Sequence, residues 1–463
     1  MTSLPPLPSS FTDPTLLSTL QTFLKTHAQT TCFTPAITVA EKTAYVDRIV
    51  QGLRDESGTW SQDVFTHVLS VLRILLRESV GCDALYSVEG TKLLVLHAGL
   101  GSNAYQPTPH TTEGLKCLCN VLLHYPAARG VVWELGGVEK CVEIIKDGGL
   151  ASEPTFLIFR ILFLATVERQ VVQTVLKNGI VGILTERLER LVKAPVEGME
   201  LMVLNEILKL VFNISDEETD CTGLVPPILD LLRSYPLPTP PLSPPISHAI
   251  HTLLHFPTHH DIWFPNDDYT LLRKFVDILE ETVGVHGEDA EEEVRVGGVL
   301  LDESCSPLVL VLVGVARGDV HARAVMRDWI MPNDIDRSQP LDKGTTLTAR
   351  LIRYMTSITY PNLRQAVSEL FFILSNESPE TLVSYIGYGP AAGFLYNRGL
   401  LPSGGPAPTE DIDPITGEFS AQKADEEWKA MSEEEREREA EKLFVLLDRL
   451  NRTGVIKAVP RLG

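Results

Sequence analysis

LTARLIRYMTSITYPNLRQAVSELFFILSNESPETLVSYIGYGPAAGFLYNRGLL, from Leu347 to Leu401, holds both the building unit of this chain and its terminator. Leu347, Leu351, Ile352, Met355 and Ile358 recur at helical spacing. Pro361 then opens a second run through Leu363, Ala366, Val367, Leu370, Phe371 and Leu374. A third short helix follows, with Ser378 as N-cap, Pro379 at the first helical position and Gly387 beyond the end. Pro390 starts a fourth, which stops at Gly399. Four short helices, each with one apolar face and joined by turns of a few residues, cannot bury those faces alone and have to stack on neighbours.

The rest of the chain supplies the neighbours. Helical patterns run from Thr15 to about Leu401, and no period-2 strand stands out. Between Ser61 and Arg77, Val64, Val68, Leu72 and Leu76 form one apolar stripe, widened by Phe65, Leu69 and Leu75. The block LKCLCNVLLHYPAARGVVWELGGVEKCVEII (115–145) is the most repeat-like. In it an apolar helix ends near a small polar residue, a turn follows, and a short helix runs to a Gly before another apolar helix. The same grammar returns from Arg160 and from Glu206. The helix-starting Gly moves from Gly137 to Gly179, a spacing of 42 residues, inside the period of armadillo or HEAT units. The expected fold is an all-α, armadillo/HEAT-like α-solenoid superhelix with a long concave groove, followed by a C-terminal linker and helix.

Interruptions mark loops. Tyr235 to Ser247 has six prolines in 13 residues and cannot continue a helix. His286 to Gly298 reads as an acidic solvated loop. The expected domains are a superhelical body over 1–401, an acidic Pro/Gly-rich linker over 402–430, and a helix with its tail over 431–463. In the last, Ser432 and Glu435 make a capping box ahead of the apolar stripe Leu443, Phe444, Leu447 and Leu450.

The 463 residues carry a formal charge of -21 and a pI near 5.0. That argues against nucleic acid or an anionic membrane as main partner, since both need basic surface, and leaves basic or apolar peptides open. A hydrophobic fraction of 44% is ample for a core. The first residues lack a signal-peptide pattern, and no run approaches the roughly 18 apolar residues of a membrane span, so a soluble, intracellular protein is expected. Cys32, Cys82, Cys117, Cys119, Cys141, Cys221 and Cys305 form no CxxC pair and no metal spacing, and read as reduced core thiols.

The motifs give no constellation for side-chain catalysis, and no cofactor or metal is expected. Gly387, Gly389 and Gly393 look like a dinucleotide loop, but no strand precedes them and Pro390 opens a helix. His251 and His255 form an HxxxH pair without the Glu of a metalloprotease, which favours a polar helix face. Ser57 and Ser403, each followed by Gly, lack a nucleophile elbow. Arg73 and Arg77, at i and i+4, leave the same helix face. They read either as a solvated face or as a clamp for a carboxylate, which paired guanidiniums match bidentately. Asn120 and Asn213 read as helix C-terminal residues or as amides that hold a bound peptide backbone.

The blocks LKCLCNVLLHYP, EILKLVFNIS and YIGYGPAAGFLYNRGLL, with DPITGEF and MSEEEREREAEKLFVLLDRLNRTGVI, resemble the synembryn family, in order and over nearly the whole chain. Synembryns are cytosolic armadillo-type proteins that act on the α subunits of heterotrimeric G proteins, as non-receptor guanine nucleotide exchange factors and as folding chaperones. The resemblance implies that the concave groove holds the C-terminal helix of Gα and that Arg73, Arg77, Asn120 and Phe212 are groove contacts, joined by position by Phe163 and Asn213. Where animal members carry phosphorylated Ser or Thr in the acidic linker, this chain reads Thr409, Glu410, Asp411, Ile412, Asp413. Thr409 is therefore a candidate phosphorylation site, and the SEEE run makes Ser432 a second, although the capping box explains the same residues.

The resemblance implies a cytoplasmic monomer, recruited to the cell cortex through Gα, that stabilises nucleotide-free Gα and is an enzyme only in the exchange-factor sense. The alternative is a passive armadillo scaffold or import-adaptor-like protein without exchange activity. Adaptors of that kind use an array of Trp-x-x-x-Asn pairs and a basic N-terminal arm. Here Trp329 with Asn333 is the lone pair at that spacing, and the first residues are not basic.

Overall fold

A computed structural model describes residues 3–400 apart from 34–35, 102–104, 194, 216–219, 285–292, 297, 336 and 338–339. The expected linker at 402–430 and helix at 431–463, with Thr409 and Ser432, lie outside the described residues. Among those described the chain is all-α and solenoid-like, with one antiparallel hairpin, β1 (Arg295–Val296) and β2 (Val299–Leu300). The hairpin pairs Arg295 with Leu300 and Val296 with Val299. Two residues per strand are too few for alternation to register in the sequence.

Packing divides the chain into two compact units, Met1–Thr282 with Arg295–Ala322, and Val283–Val294 with Arg323–Gly463. The first contains α1 (Leu16–His27), α2 (Val39–Asp55), α3 (Gln62–Leu75), α4 (Val88–His97), α5 (Pro109–His124), α6 (Ala128–Glu134), α7 (Gly137–Asp147) and α8 (Ser152–Ala165). It continues through α9 (Arg169–Lys177), α10 (Ile180–Val192), α11 (Gly198–Ile214), α12 (Val225–Ser234), α13 (Ile246–Leu253), α14 (His260–Trp263), α15 (Thr270–Val283, which ends one residue past the division) and α16 (Leu301–Gly318). Helix α17 (Val320–Ile330) begins in this unit and ends in the next. The second unit holds α18 (Leu347–Thr356), α19 (Pro361–Leu374), α20 (Pro379–Ile386) and α21 (Tyr388–Asn397).

Helix starts follow from local chemistry. Ser61 Oγ accepts the Val64 amide at the head of α3. Thr38 with Glu41 closes a capping box on α2, and Thr108 with Thr111 closes one on α5 with Pro109 at its first position. The repeat glycines act through backbone conformation. Gly136 (φ 73) and Gly179 (φ 78) are left-handed residues that join α6 to α7 and α9 to α10. The structural equivalent of Gly179 is thus Gly136 rather than Gly137, which already lies in α7, where an added Cβ would come within 3.0 Å of Val132.

Within the first unit, α3 packs on α5, α5 on α8, α8 on α11, α11 on α13, and α13 on α16. Each step from α3 to α13 joins helices some forty to fifty residues apart, the last to α16 about sixty, and the stack buries an almost continuous aliphatic core, including Leu72, Leu118, Ile158, Leu162, Leu204 and Leu208. In the second unit α18 packs on α19 and α21, and Tyr354 meets Tyr360 edge to face with ring centroids 5.7 Å apart.

Three expectations are corrected. Ile358, assigned to an apolar helix face, lies past the end of α18 and is 83% exposed, because periodicity does not mark where a helix stops. Helix α21 starts at Tyr388 after Gly387 (φ 84), so Pro390 is its third residue, still in the first turn where no amide hydrogen is needed. Six cysteines are buried free thiols, but Cys32 is exposed and its thiol donates to Glu78 Oε1.

Two features set stability. A Cβ on Gly114 of α5 would lie 2.6 Å from the His97 carbonyl oxygen, so α4 and α5 meet backbone to backbone. Gly114→Ala is expected to cost at least about 1–3 kcal/mol, read as a lower midpoint in chemical unfolding. Beside it, His97 Nδ1 and His110 Nε2 share a hydrogen bond of 3.2 Å, and Phe65 stacks on His110. Burial, then His110, push His97 down to about 4 from 6.5. Between those values an unfolded chain binds the proton more readily, so stability is full above 6.5 and falls as pH drops toward 4, by on the order of 3 kcal/mol. Unfolding midpoints across that range should show this fall, flattened in His97→Asn.

Candidate functional site

The stacked helices α3, α5, α8 and α11 are buried on most sides, apart from the first turns of α3, and along each runs an accessible stripe. On α3 it is Thr66, Ser70 and Arg73; on α5, Lys116, Asn120 and Leu123; on α8, Glu153, Phe156, Arg160 and Phe163, with Val167 just past its end; on α11, Met202, Lys209, Phe212 and Asn213. Steps of three and four residues keep each stripe on one side of its helix. The six residues singled out from the sequence fall on this set of helices or, for Arg77, just past the end of α3.

None of the polar ones is free. Arg73 Nε donates to Glu113 Oε2 at 2.8 Å, and Lys116 Nζ lies 2.8 Å from both Glu113 Oε1 and Glu153 Oε1. Asn120 Nδ2 donates to the Arg73 carbonyl at 3.1 Å, so this amide bridges α5 to α3. Arg77 Nη1 donates to the carbonyls of Ala28 and Thr30, both at 2.9 Å, just past α1. Burial, with Arg73 nearby, pushes its guanidinium below its ordinary value. Burial opposes the charge of Glu113, but its contacts with Lys116 and Arg73 win and hold its carboxyl below the ordinary range. The sequence offered two settings for Arg73 and Arg77, a solvated face or an open clamp. The structure places both in cross-helix contacts.

Two steps along the stack the arrangement recurs. Arg160 Nη1 donates to Glu206 Oε1 at 3.1 Å, and Lys209 Nζ reaches the same oxygen at 2.5 Å. Asn213 Nδ2 donates to the Phe163 carbonyl at 3.0 Å and to Thr166 Oγ1 at 3.1 Å. Lys209 also sits over the Phe163 ring, 4.7 Å from its centroid. Phe212 is 38% exposed and takes His255 and His251 edge-on, at 4.7 and 6.5 Å between centroids. The HxxxH pair therefore packs on an aromatic ring. Among the described residues no group of three or more His, Cys, Asp or Glu side chains is placed to hold a metal ion.

Glu113, Lys116, Arg160, Glu206 and Lys209 were not singled out from the sequence, yet it carries a signal for them. EGLKCLCN (113–120) and EILKLVFN (206–213) share Glu-x-Leu-Lys-x-x-x-Asn, and VLRILLR (71–77) aligns with IFRILFL (158–164) through Arg-Ile-Leu. A helix of the Arg type is followed each time by one of the Glu-Lys-Asn type. The chemical outcome is a strip of half-exposed cations, each beside a buried carboxylate and flanked by Phe156, Phe163 and Phe212, within a chain of formal charge -21.

Comparison with known proteins accords with this picture. A family model described as guanine nucleotide exchange factor synembryn matches residues 68–461. The chain is 29% identical to Chaperone Ric-8A of Bos taurus over 439 residues, covering 84% of this chain and 81% of that protein. It is 29% identical to Chaperone Ric-8A of Pongo abelii over 457 residues (86% and 82%) and 26% identical to that of Danio rerio over 455 residues (84% and 81%).

The amide bridges can be tested alone. Asn213→Ala removes two cross-helix hydrogen bonds and should destabilise the chain by about 1–3 kcal/mol in urea unfolding, with Asn120→Ala at the lower end. Unchanged midpoints in both variants would show that the amides do not join the helices.

Proposed function

This chain belongs to the synembryn family of guanine nucleotide exchange factors, and from that premise we propose that its partner is the α subunit of a heterotrimeric G protein. In this reading it serves as exchange factor and folding chaperone for Gα and seats the Gα C-terminal helix across the α3, α5, α8 and α11 stripes. The supporting observation is the strip itself, which combines aromatic rings with cations in an otherwise acidic protein. An amphipathic helix that ends in a carboxylate matches it: the apolar side meets Phe163 and Phe212, and the terminal carboxylate meets Arg73 and Arg77. The terminal amino groups of Arg73 have no hydrogen-bond partner among the described residues, so Arg73 can receive a carboxylate without leaving Glu113.

Exchange then needs no side-chain acid, base or nucleophile. The protein has only to bind nucleotide-free Gα better than the GDP-bound form, and linkage makes GDP leave faster. A differential affinity of ~4 kcal/mol shifts that balance about a thousandfold. By the same reciprocity, GTP binding to Gα releases the partner. Holding the last helix of a loosened or newly made Gα also accounts for a chaperone role. No helix among the described residues is long and apolar enough to cross a membrane, and contact with the cell cortex would come through Gα.

Release of labelled GDP from purified Gα tests the reading. Acceleration by this protein that disappears when Gα lacks its last several residues is expected, and no acceleration and no binding to any Gα would overturn it. Arg73→Glu with Arg77→Glu should abolish Gα binding. Because Arg77 also ties down the end of α1, Arg73→Gln is the companion variant; it leaves Glu113 paired with Lys116 and should weaken binding at least tenfold under conditions where its unfolding curve shows the variant fully folded.

A further inference from the structure

The Arg160, Glu206, Lys209 and Asn213 group repeats the Arg73, Glu113, Lys116 and Asn120 group in residue type and helix pairing, with the Arg and Lys sharing the Glu each time and the Asn donating to a carbonyl near the end of the Arg helix. Only the first has an assigned task in the reading above, which is to receive a terminal carboxylate. We propose that the second is another anion-reading station, which takes an internal acidic side chain of the same bound Gα helix. This inference rests on the functional reading above and extends it.

Charge supports it first. At the second station two cations, Arg160 and Lys209, share the single carboxylate of Glu206, whose side chain is only 4% exposed. The first station balances Arg73 and Lys116 against Glu113 and Glu153 and then adds Arg77. Each is left with one surplus positive charge. At the second station that surplus is accessible, since the Arg160 and Lys209 side chains are 33% and 24% exposed.

Surroundings support it next. Phe156 lies beneath the Arg160 guanidinium, with its centroid 5.9 Å away, and Phe163 lies beneath the Lys209 ammonium. The rings hold the cations by their faces and supply apolar ground on either side of the charge. A partner helix seated there needs one acid set among apolar residues.

Spacing then fixes where that acid falls. From α3 to α8 is two helix-to-helix steps, or roughly 16–20 Å at the usual interaxial distance. A helix laid across the stack rises 1.5 Å per residue. The acid is therefore expected about 11–13 residues before the terminal carboxylate, some three turns away.

The test is a charge scan of the last twenty residues of Gα, with each Asp or Glu changed in turn to Asn or Gln. Binding to the full chain is measured for the unmutated protein and for Arg160→Gln, Lys209→Gln and Arg73→Gln. Neutralising one acid about three turns from the C-terminus should weaken binding by about tenfold in the unmutated protein and in Arg73→Gln, and have little further effect in Arg160→Gln. Lys209→Gln leaves the Arg160–Glu206 pair in place and should show the same loss of coupling, which guards against a folding defect in Arg160→Gln. If every acid acts independently of Arg160 and Lys209 while Arg73→Gln still weakens binding, the second station is overturned and the functional reading stands. If the unmutated chain binds no Gα at all, the reading falls and this inference with it.

Discussion

Glu113 and Glu206 are nearly buried carboxylates, and each is gripped from two directions, by a cation on its own helix and by an arginine on the helix before it. Everything on the accessible strip depends on that arrangement. An unpaired buried carboxylate would be severely destabilising, so each Glu obliges its arginine to lie across the helix pair. Such a pair adds little to net stability, because desolvation offsets most of the attraction. Its effect is register: α3 is held against α5, and α8 against α11, with the arginine at one place and the rings of α8 and α11 at another. Asn120 and Asn213 complete the registration by tying the carbonyl ends of α3 and α8 to the following helix.

The same arrangement reconciles an acidic protein with an anionic partner group. A formal charge of -21 repels acidic partners over most of the surface. On the strip Glu113 and Glu206 are nearly buried while the cations beside them are partly exposed, so at those two places a partner meets positive charge in a chain that is negative as a whole. Long-range repulsion and short-range attraction together make a selective surface, since only a segment that fits the strip escapes the general repulsion.

The all-α class and the stacked helix pairs were legible in the sequence because apolar spacing, N-caps and turn glycines are local. The misplacements were local too. Gly136 and Gly137 are adjacent, and only the backbone conformation shows which one turns the chain. Ile358 continues the helical rhythm past the end of the helix that carries it. The partners of Arg73, Asn120 and Asn213 were not legible, since each lies forty to fifty residues away. A signal nevertheless existed. Arg73 and Arg160 are 87 residues apart, and Glu113 and Glu206 are 93 apart, about twice the unit of Gly136 to Gly179. A search at the single-unit period compares an Arg-type helix with a Glu-type helix and finds the apolar residues and one cation, Arg73 against Lys116, but not the Glu and Asn that complete the group.

The central claim is that Gα is held on the strip formed by α3, α5, α8 and α11. Its most direct test is to place a photoreactive phenylalanine analogue at position 212, within the strip, and separately at position 96, an exposed leucine on α4, which is not one of the four strip helices. Each protein is then irradiated with nucleotide-free Gα. A covalent product from position 212 that maps to the last helix of Gα, with none from position 96, is the result this account expects. Product from position 96 and none from 212 would contradict it.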